Sequence, residues 1–314
     1  MYLLIRSLAS FFFYTRFFSS FSALGYCRAL ADQPDLAPDF RKQTWLITGA
    51  TGGIGRAIAL TANRYGARVL AVGRSKDKLS ELKQYTDAPT RLVPLRADLS
   101  LVDEVRRLPY RRSVAARPID VLINNVGVLL NRHSMTTEGL ETSFATNLLC
   151  PFVLTEDLYA GGCLSPDGLV INISSGGMYG TPLKLEPMNC LDADAFDGMT
   201  AYAMHKRAQV ELTGWWNDQW QGAPVVQVMH PGWVDTAGVQ NALPGFRRTL
   251  QSVLRSPEQG ADTVIWLADS RPARPAEGGI WLDRNLQPEH EFKWTRRTSN
   301  TPADLAQYLR AQIP

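Results

Sequence analysis

From Gln43 to the C-terminus the chain alternates short apolar runs with longer stretches whose apolar positions recur at helical spacing. The apolar runs are TWLIT (44–48), RVLAVG (68–73), RLVPLRA (91–97), DVLINN (120–125), GLVINIS (168–174), PVVQVMH (224–230) and GGIWLD (278–283). Between most of them lie periodic segments, at about 53–65, 75–86, 100–116, 136–160, 201–221 and 256–269. The runs are almost continuously apolar, as strands are when both faces of a sheet are covered. Strands alternating with helices predict parallel βαβ units and an α/β, doubly wound sheet of seven strands. No repeat and no second core pattern appears, so a single domain is expected over residues 42–314.

The segment before Gln43 breaks this pattern. Residues 32–41, DQPDLAPDFR, are rich in Pro and Asp and read as a linker. Residues 1–31 are apolar and aromatic and contain Arg6, Arg16 and Arg28 with no acid. Their charge-free stretch 17–27 falls short of the roughly 20 apolar residues that span a bilayer. Three readings stay open: an organelle transit peptide, a helix lying in a membrane interface, and a helix covering an apolar patch on the body. The first two favour an organelle or membrane-associated address over the plain cytosol. They also leave room for peripheral membrane contact through residues 1–31.

Charge sharpens this division. The chain has 314 residues, 33 Lys+Arg, 30 Asp+Glu and a net charge of +3. Setting aside the three N-terminal arginines leaves 30 basic side chains against 30 acidic ones, so the body is neutral. That argues against nucleic acid as a partner, since a basic footprint would be clustered and larger. Cys27, Cys150, Cys163 and Cys190 show no paired spacing, and His133, His205, His230 and His290 show no ligand spacing, so no metal site is expected.

The first strand runs into Thr48-Gly-Ala-Thr-Gly-Gly-Ile-Gly55 and then a helix. Glycines there allow a tight turn and close approach of a pyrophosphate, which the helix N-terminus would hold. Gly49, Thr51, Gly53, Ile54 and Gly55 are thus candidate dinucleotide-binding positions. The second strand ends in Gly73-Arg74, where NAD-preferring folds carry an acid. An arginine pairs with a 2′-phosphate, so Arg74 points to NADP(H). Asp98, after the third strand, reads equally as a contact to the adenine edge or as a helix N-terminal residue. Asn124-Asn125-Val126-Gly127 ends the fourth strand; its amides can tie strands together, and Gly127 leaves room for a cofactor.

Tyr202 and Lys206 stand at i,i+4 on one helix face. A nearby ammonium lowers a phenol pKa from its ordinary value near 10, so the pair can exchange a proton with a carbonyl or alcohol oxygen. An ordinary helix surface is the plainer reading of that spacing. Ser174-Ser175 ends the fifth strand, at the carboxyl edge where open α/β sheets bind ligands. Asn147 lies in a helix interior just before Pro151, where its amide could hold a water or merely mark a kink.

TGATGGIG, NNVG, Asn147, ISS, YxxxK and PGWVDT occur in the order and approximate spacing of the short-chain dehydrogenase/reductase family, and residues 43–285 resemble it. The resemblance implies a Rossmann-like fold of strand order 3-2-1-4-5-6-7. It implies a catalytic tetrad of Asn147, Ser175, Tyr202 and Lys206, with Tyr202 as acid/base and Ser175 orienting the carbonyl. Lys206 would also hold the nicotinamide ribose. Asn125 and Gly127 would face the cofactor, and Pro231, Gly232, Val234 and Thr236 would line the nicotinamide.

Two departures stand out: NNVG in place of the commoner NNAG, and a Ser175–Tyr202 separation about twice the family's usual gap. The inserted residues should lie at the pocket mouth and shape substrate choice. SSGGM, FDGMTAYAMHKR and MHPGWVDTAGV resemble one subgroup, itself similar to retinol and steroid reductases. The expected activity is therefore NADP(H)-dependent interconversion of a lipophilic small-molecule carbonyl and alcohol. A non-catalytic NADP(H)-binding scaffold is the alternative, and a homo-oligomer stays open.

Overall fold

The computed structural model describes residues 15–186, 188–275 and 277–314. One sheet organises the body, in the order β3-β2-β1-β4-β5-β6-β7-β8. The strands are β1 Thr44–Thr48, β2 Arg68–Gly73, β3 Leu92–Arg96, β4 Ile119–Asn124, β5 Leu164–Ile173, β6 Val225–Met229, β7 Ile280–Leu282 and β8 Asn285–Gln287. β1 to β7 pair in parallel, and β8 returns antiparallel on β7. The expected seven strands and their order are present, and β8 is the addition. It is three polar-flanked residues reached through a turn in which Asp283 and Arg284 adopt φ of 52° and 62°, a hairpin geometry that leaves no apolar run to read.

Helices cover both faces. In chain order they are α1 Ala23–Ala29, α2 Gly53–Arg64, α3 Lys76–Gln84, α4 Val102–Arg106, α5 Arg112–Ala115, α6 Thr142–Phe144, α7 Cys150–Ala160, α8 Gly198–Gln219, α9 Ala237–Ala242, α10 Pro244–Leu250, α11 Pro257–Ser270 and α12 Pro302–Ala311. On one face Leu46, Leu122 and Val170 pack under Phe144, Phe152, Leu212, Trp216 and Leu309. On the other, Trp45, Ile47, Val121 and Ile123 pack under Ile58, Ala62, Val264 and Ile265. Successive strand residues thus feed opposite layers, as the pleat requires. The helix expected over 100–116 is split into α4 and α5, because Pro109 disfavours helical backbone at Leu108.

The N-terminal segment joins this body. Residues 15–21 are helical, and the Ser22 hydroxyl then caps α1 by accepting from Gly25 N–H. Phe17 and Phe21 are buried with Met178, Tyr179, Val210, Val228 and Ile280. The fully buried Arg255 donates from Nε to the Phe21 carbonyl at 2.9 Å, from Nη1 to the Pro231 carbonyl at 3.2 Å, and from Nη2 to Asp283 at 2.8 Å. Residues 32–41 also follow the surface, with Phe40 buried against Trp45 and the Pro34 carbonyl accepting from Arg284. The aromatic run at 11–14 and Arg6 lie outside the described residues. Among the described residues no helix is long and apolar enough to cross a membrane.

Candidate active site

The carboxyl ends of β1 and β4 meet at the Thr48–Gly55 turn, and that of β5 lies on the far side of β4. Gly49 and Gly53 take φ of +66° and +49°, left-handed values that favour glycine. A Cβ on Gly55 would lie 2.3 Å from the Gly49 carbonyl oxygen and 2.4 Å from Asn125 Nδ2, so a side chain there would break the turn. Gly52 caps α2 without a side chain, and nothing lies within 4 Å of where its Cβ would stand. The first N–H groups of α2 thus have no side-chain cap at Gly52, and a helix N-terminus of this kind fits a pyrophosphate.

Asn125 donates from Nδ2 to the Thr48 carbonyl at 2.8 Å, and Thr48 Oγ1 accepts the N–H groups of Asn125 and Val126 at 2.9 and 3.1 Å. The Asn125 amide is thus a tie between β1 and β4 beneath the turn. Ile54 turns its side chain toward Gly260 of α11, leaving only its backbone for a cofactor. Thr51 fills the space above Gly73, where a Cβ would meet its methyl at 2.8 Å.

Arg74 is exposed at the end of β2. Two further arginines, which the motif reading passed over, gather there. Arg96 donates to the Arg74 carbonyl at 3.3 Å, and Arg111 donates to the Arg96 carbonyl at 2.8 Å. The basic edge fits an added phosphate on the ribose. Asp98 accepts the Ser100 N–H and hydroxyl at 3.0 and 2.7 Å, so one of its oxygens closes a local turn.

On the chemical side the two serines separate. Ser174 is buried and donates to the Lys206 carbonyl at 2.8 Å, a structural contact to α8. Ser175 is half-buried and lies beside the Tyr202 phenol, close enough to interact with it. Burial raises the Tyr202 pKa, and the Ser175 hydroxyl opposes that rise. Lys206 is buried and its pKa is pushed down to about 7 by loss of solvation. Its Nζ donates to the Ile173 carbonyl at 2.7 Å and to Gln209 Oε1 at 3.0 Å, and lies 5.7 Å from the centre of the Tyr202 ring. The lowering of the phenol pKa by the lysine, expected from their spacing, is therefore not what dominates; burial does.

Asn147 is tied to Val128 by both ends of its amide. Its Oδ1 accepts from Val128 N–H at 2.7 Å and its Nδ2 donates to the Val128 carbonyl at 2.8 Å. The side chain braces the loop after β4. The helix here widens into a π turn, Ala145–Leu149, closed by Cys150 N–H bonding back to Ala145. Gly127 lies against this group: a Cβ would stand 3.3 Å from Lys206 Nζ and 3.5 Å from Asn147 Oδ1.

Pro231, Gly232, Val234 and Thr236 border the same cleft. Gly232, at φ +72°, lets Arg255 and the Phe21 carbonyl approach, and Trp233 N–H donates to that carbonyl at 2.8 Å. The Thr236 methyl lies 3.1 Å from where a Gly53 Cβ would be, so this loop abuts the glycine turn. The Phe21 ring occupies the space beside Gly176, and Phe18, Phe21 and Phe246 surround Trp233. The N-terminal helix therefore walls the cleft next to Ser175, which nothing in the motif spacing signals.

A sequence model described as short chain dehydrogenase matches residues 43–185. The chain is 36% identical over 312 residues to Dehydrogenase/reductase SDR family member 12 of Bos taurus, covering 96% of this chain and 95% of that protein. It is 32% identical over 264 residues to Retinol dehydrogenase 14 of Mus musculus, covering 77% and 78%. Among solved structures, an uncharacterised protein from Mycobacterium paratuberculosis shares the fold with a TM-score of 0.67 at 24% identity, covering 88% of this chain and 97% of that one.

Proposed function

The chain belongs to the short-chain dehydrogenase/reductase family, and from that premise we propose that it interconverts a lipophilic carbonyl and its alcohol with NADP(H). The family's members are carbonyl/alcohol oxidoreductases that use NAD(P) cofactors. The observation that carries it is the meeting of Ser175, Tyr202 and Lys206 beside Gly127 and the glycine turn.

The turn 49–55, Asn125, Gly127 and the 231–236 loop would hold the dinucleotide, with Arg74 beside its 2′-phosphate. When bound, that cofactor supplies or accepts the hydride. In the reducing direction the Tyr202 hydroxyl gives its proton to the substrate oxygen while the Ser175 hydroxyl donates to the same atom. Burial keeps Tyr202 protonated, the form reduction requires. In the oxidising direction the phenolate must form, and the Lys206 ammonium and the Ser175 hydroxyl stabilise it. Trp233, Phe18 and Phe246 give the mouth its apolar character, consistent with a substrate of the kind named for the retinol dehydrogenase relative.

The segment 15–29 belongs to the catalytic body, which leaves residues 1–14 as the part that would carry an address or touch a membrane. The test is a panel of aldehydes, ketones and alcohols offered with NADPH, NADH and their oxidised forms. Turnover with NADP(H) on apolar members supports the proposal. Tight NADPH binding without turnover anywhere points to a scaffold.

A further inference from the structure

Lys206 Nζ, Gln209 and the Asn147 carbonyl form an unbroken buried chain. Lys206 donates to Gln209 Oε1 at 3.0 Å, and Gln209 Nε2 donates to the Asn147 carbonyl oxygen at 2.9 Å. Lys206, Gln209 and Asn147 are 2%, 3% and 0% exposed. An ammonium can only donate and a carbonyl can only accept. The Gln209 amide serves both at once, accepting at its oxygen and donating from its nitrogen, and the two partners fix which end faces which.

The sequence explains why the Asn147 carbonyl needs a partner. In an α-helix it would accept from the N–H of residue 151, four positions on. Residue 151 is proline, which has none. A buried carbonyl without a donor is destabilising, so something must fill the place. Gln209 does so from α8, one turn beyond Lys206, and the π turn at 145–149 turns the carbonyl toward it.

We propose that Gln209 is a positioning residue that links Lys206 directly to the Asn147 carbonyl, so that no water joins the two and the lysine is held by fixed protein dipoles alone. This rests on Tyr202 and Lys206 being the proton-handling pair. The titratable neighbours of Lys206 on its own helix are Tyr202 and His205. Toward it β5 presents the Ile173 carbonyl, the loop after β4 presents Gly127, and the π turn presents Asn147, none of them charged. The charge state of Lys206 is therefore governed by burial and by its two hydrogen-bond acceptors, of which Gln209 is the replaceable one.

Two measurements test this. The first is a crystal structure of the full chain with NADP+, unmodified and as Gln209→Leu. The unmodified protein should show the amide bridge with no water bonded to both Asn147 O and Lys206 Nζ, and Gln209→Leu should admit one. A water bridging those two atoms in the unmodified protein overturns the proposal, and this arm stands whether or not any substrate is turned over.

The second is the pH profile of kcat for NADPH-dependent reduction of a probe dicarbonyl, 9,10-phenanthrenequinone. Removing an acceptor from an ammonium lowers its pKa, and a carboxylate beside it raises it. Gln209→Leu should move the alkaline limb down by about one pH unit and Gln209→Glu should move it up by a similar amount. Rates that fall in both variants with the limb unmoved assign Gln209 a merely structural role. Should either variant fail to fold, the structure of the unmodified protein decides. If Tyr202→Phe keeps full turnover, the proton-handling pair itself is wrong, a failure distinct from an unmoved limb in the Gln209 variants.

Discussion

Lys206 Nζ donates to the carbonyl oxygen of Ile173, the last residue of β5, at 2.7 Å. That contact draws the lysine head down into the sheet edge and away from water. Its pKa falls to about 7 as a result, against an ordinary value near 10.4.

A pH dependence follows. The ammonium is the form that assists Tyr202, so carbonyl reduction should decline as pH rises through about 7. The stability effect has the opposite sign. Because the folded-state pKa lies below the unfolded one, the unfolded chain binds more protons between them. Lys206 should therefore cost stability below about 7 and release that cost as pH climbs toward its unfolded value. Denaturant titrations of the unmodified protein and of Lys206→Met across that window check this. A stability difference between the two that does not change with pH would contradict the assignment.

Arg74, with Arg96 and Arg111 beside it, should set the cofactor preference. Arg74→Asp removes a charge-assisted contact to the 2′-phosphate and adds repulsion. NADPH affinity should fall by roughly tenfold to a hundredfold while NADH affinity changes little. Fluorescence titration with both nucleotides reads this directly. An unchanged ratio removes Arg74 from the site.

Arg255 ties the N-terminal segment to the 231–236 loop through the carbonyls of Phe21 and Pro231. Arg255→Met would leave Asp283 buried without its partner, a change of the class that costs about 3–5 kcal/mol. Deleting residues 1–31 would also strip Phe17 and Phe21 from their buried cluster. Both changes should lower the unfolding midpoint and impair turnover together. A truncated chain with undiminished stability and activity would show that this segment is dispensable to the body.

The sheet and the glycine turn were legible because their causes are local: apolar runs long enough to read as strands, and glycines at positions of positive φ. β8 was not, since three residues after a tight turn leave no pattern. Phe21 reads as one more aromatic in a segment with several possible destinations; only the folded chain brings it to Gly176. The role of Gln209 was written more faintly. Pro151 announces an orphaned carbonyl at Asn147, but the amide that satisfies it is 62 residues away, and only the packing of α8 on the π turn joins them. Asn147 and Lys206 were singled out for their chemistry, yet what each is bonded to depended on that same packing.

In this mechanism Tyr202 carries the proton while neighbouring groups hold the cofactor. Single-turnover hydride transfer with Tyr202→Phe, followed by NADPH absorbance, addresses it with the fewest intermediate assumptions. The rate should fall by about 100-fold to 10,000-fold with NADPH binding unchanged. Hydride transfer at the unmodified rate in that variant would contradict it.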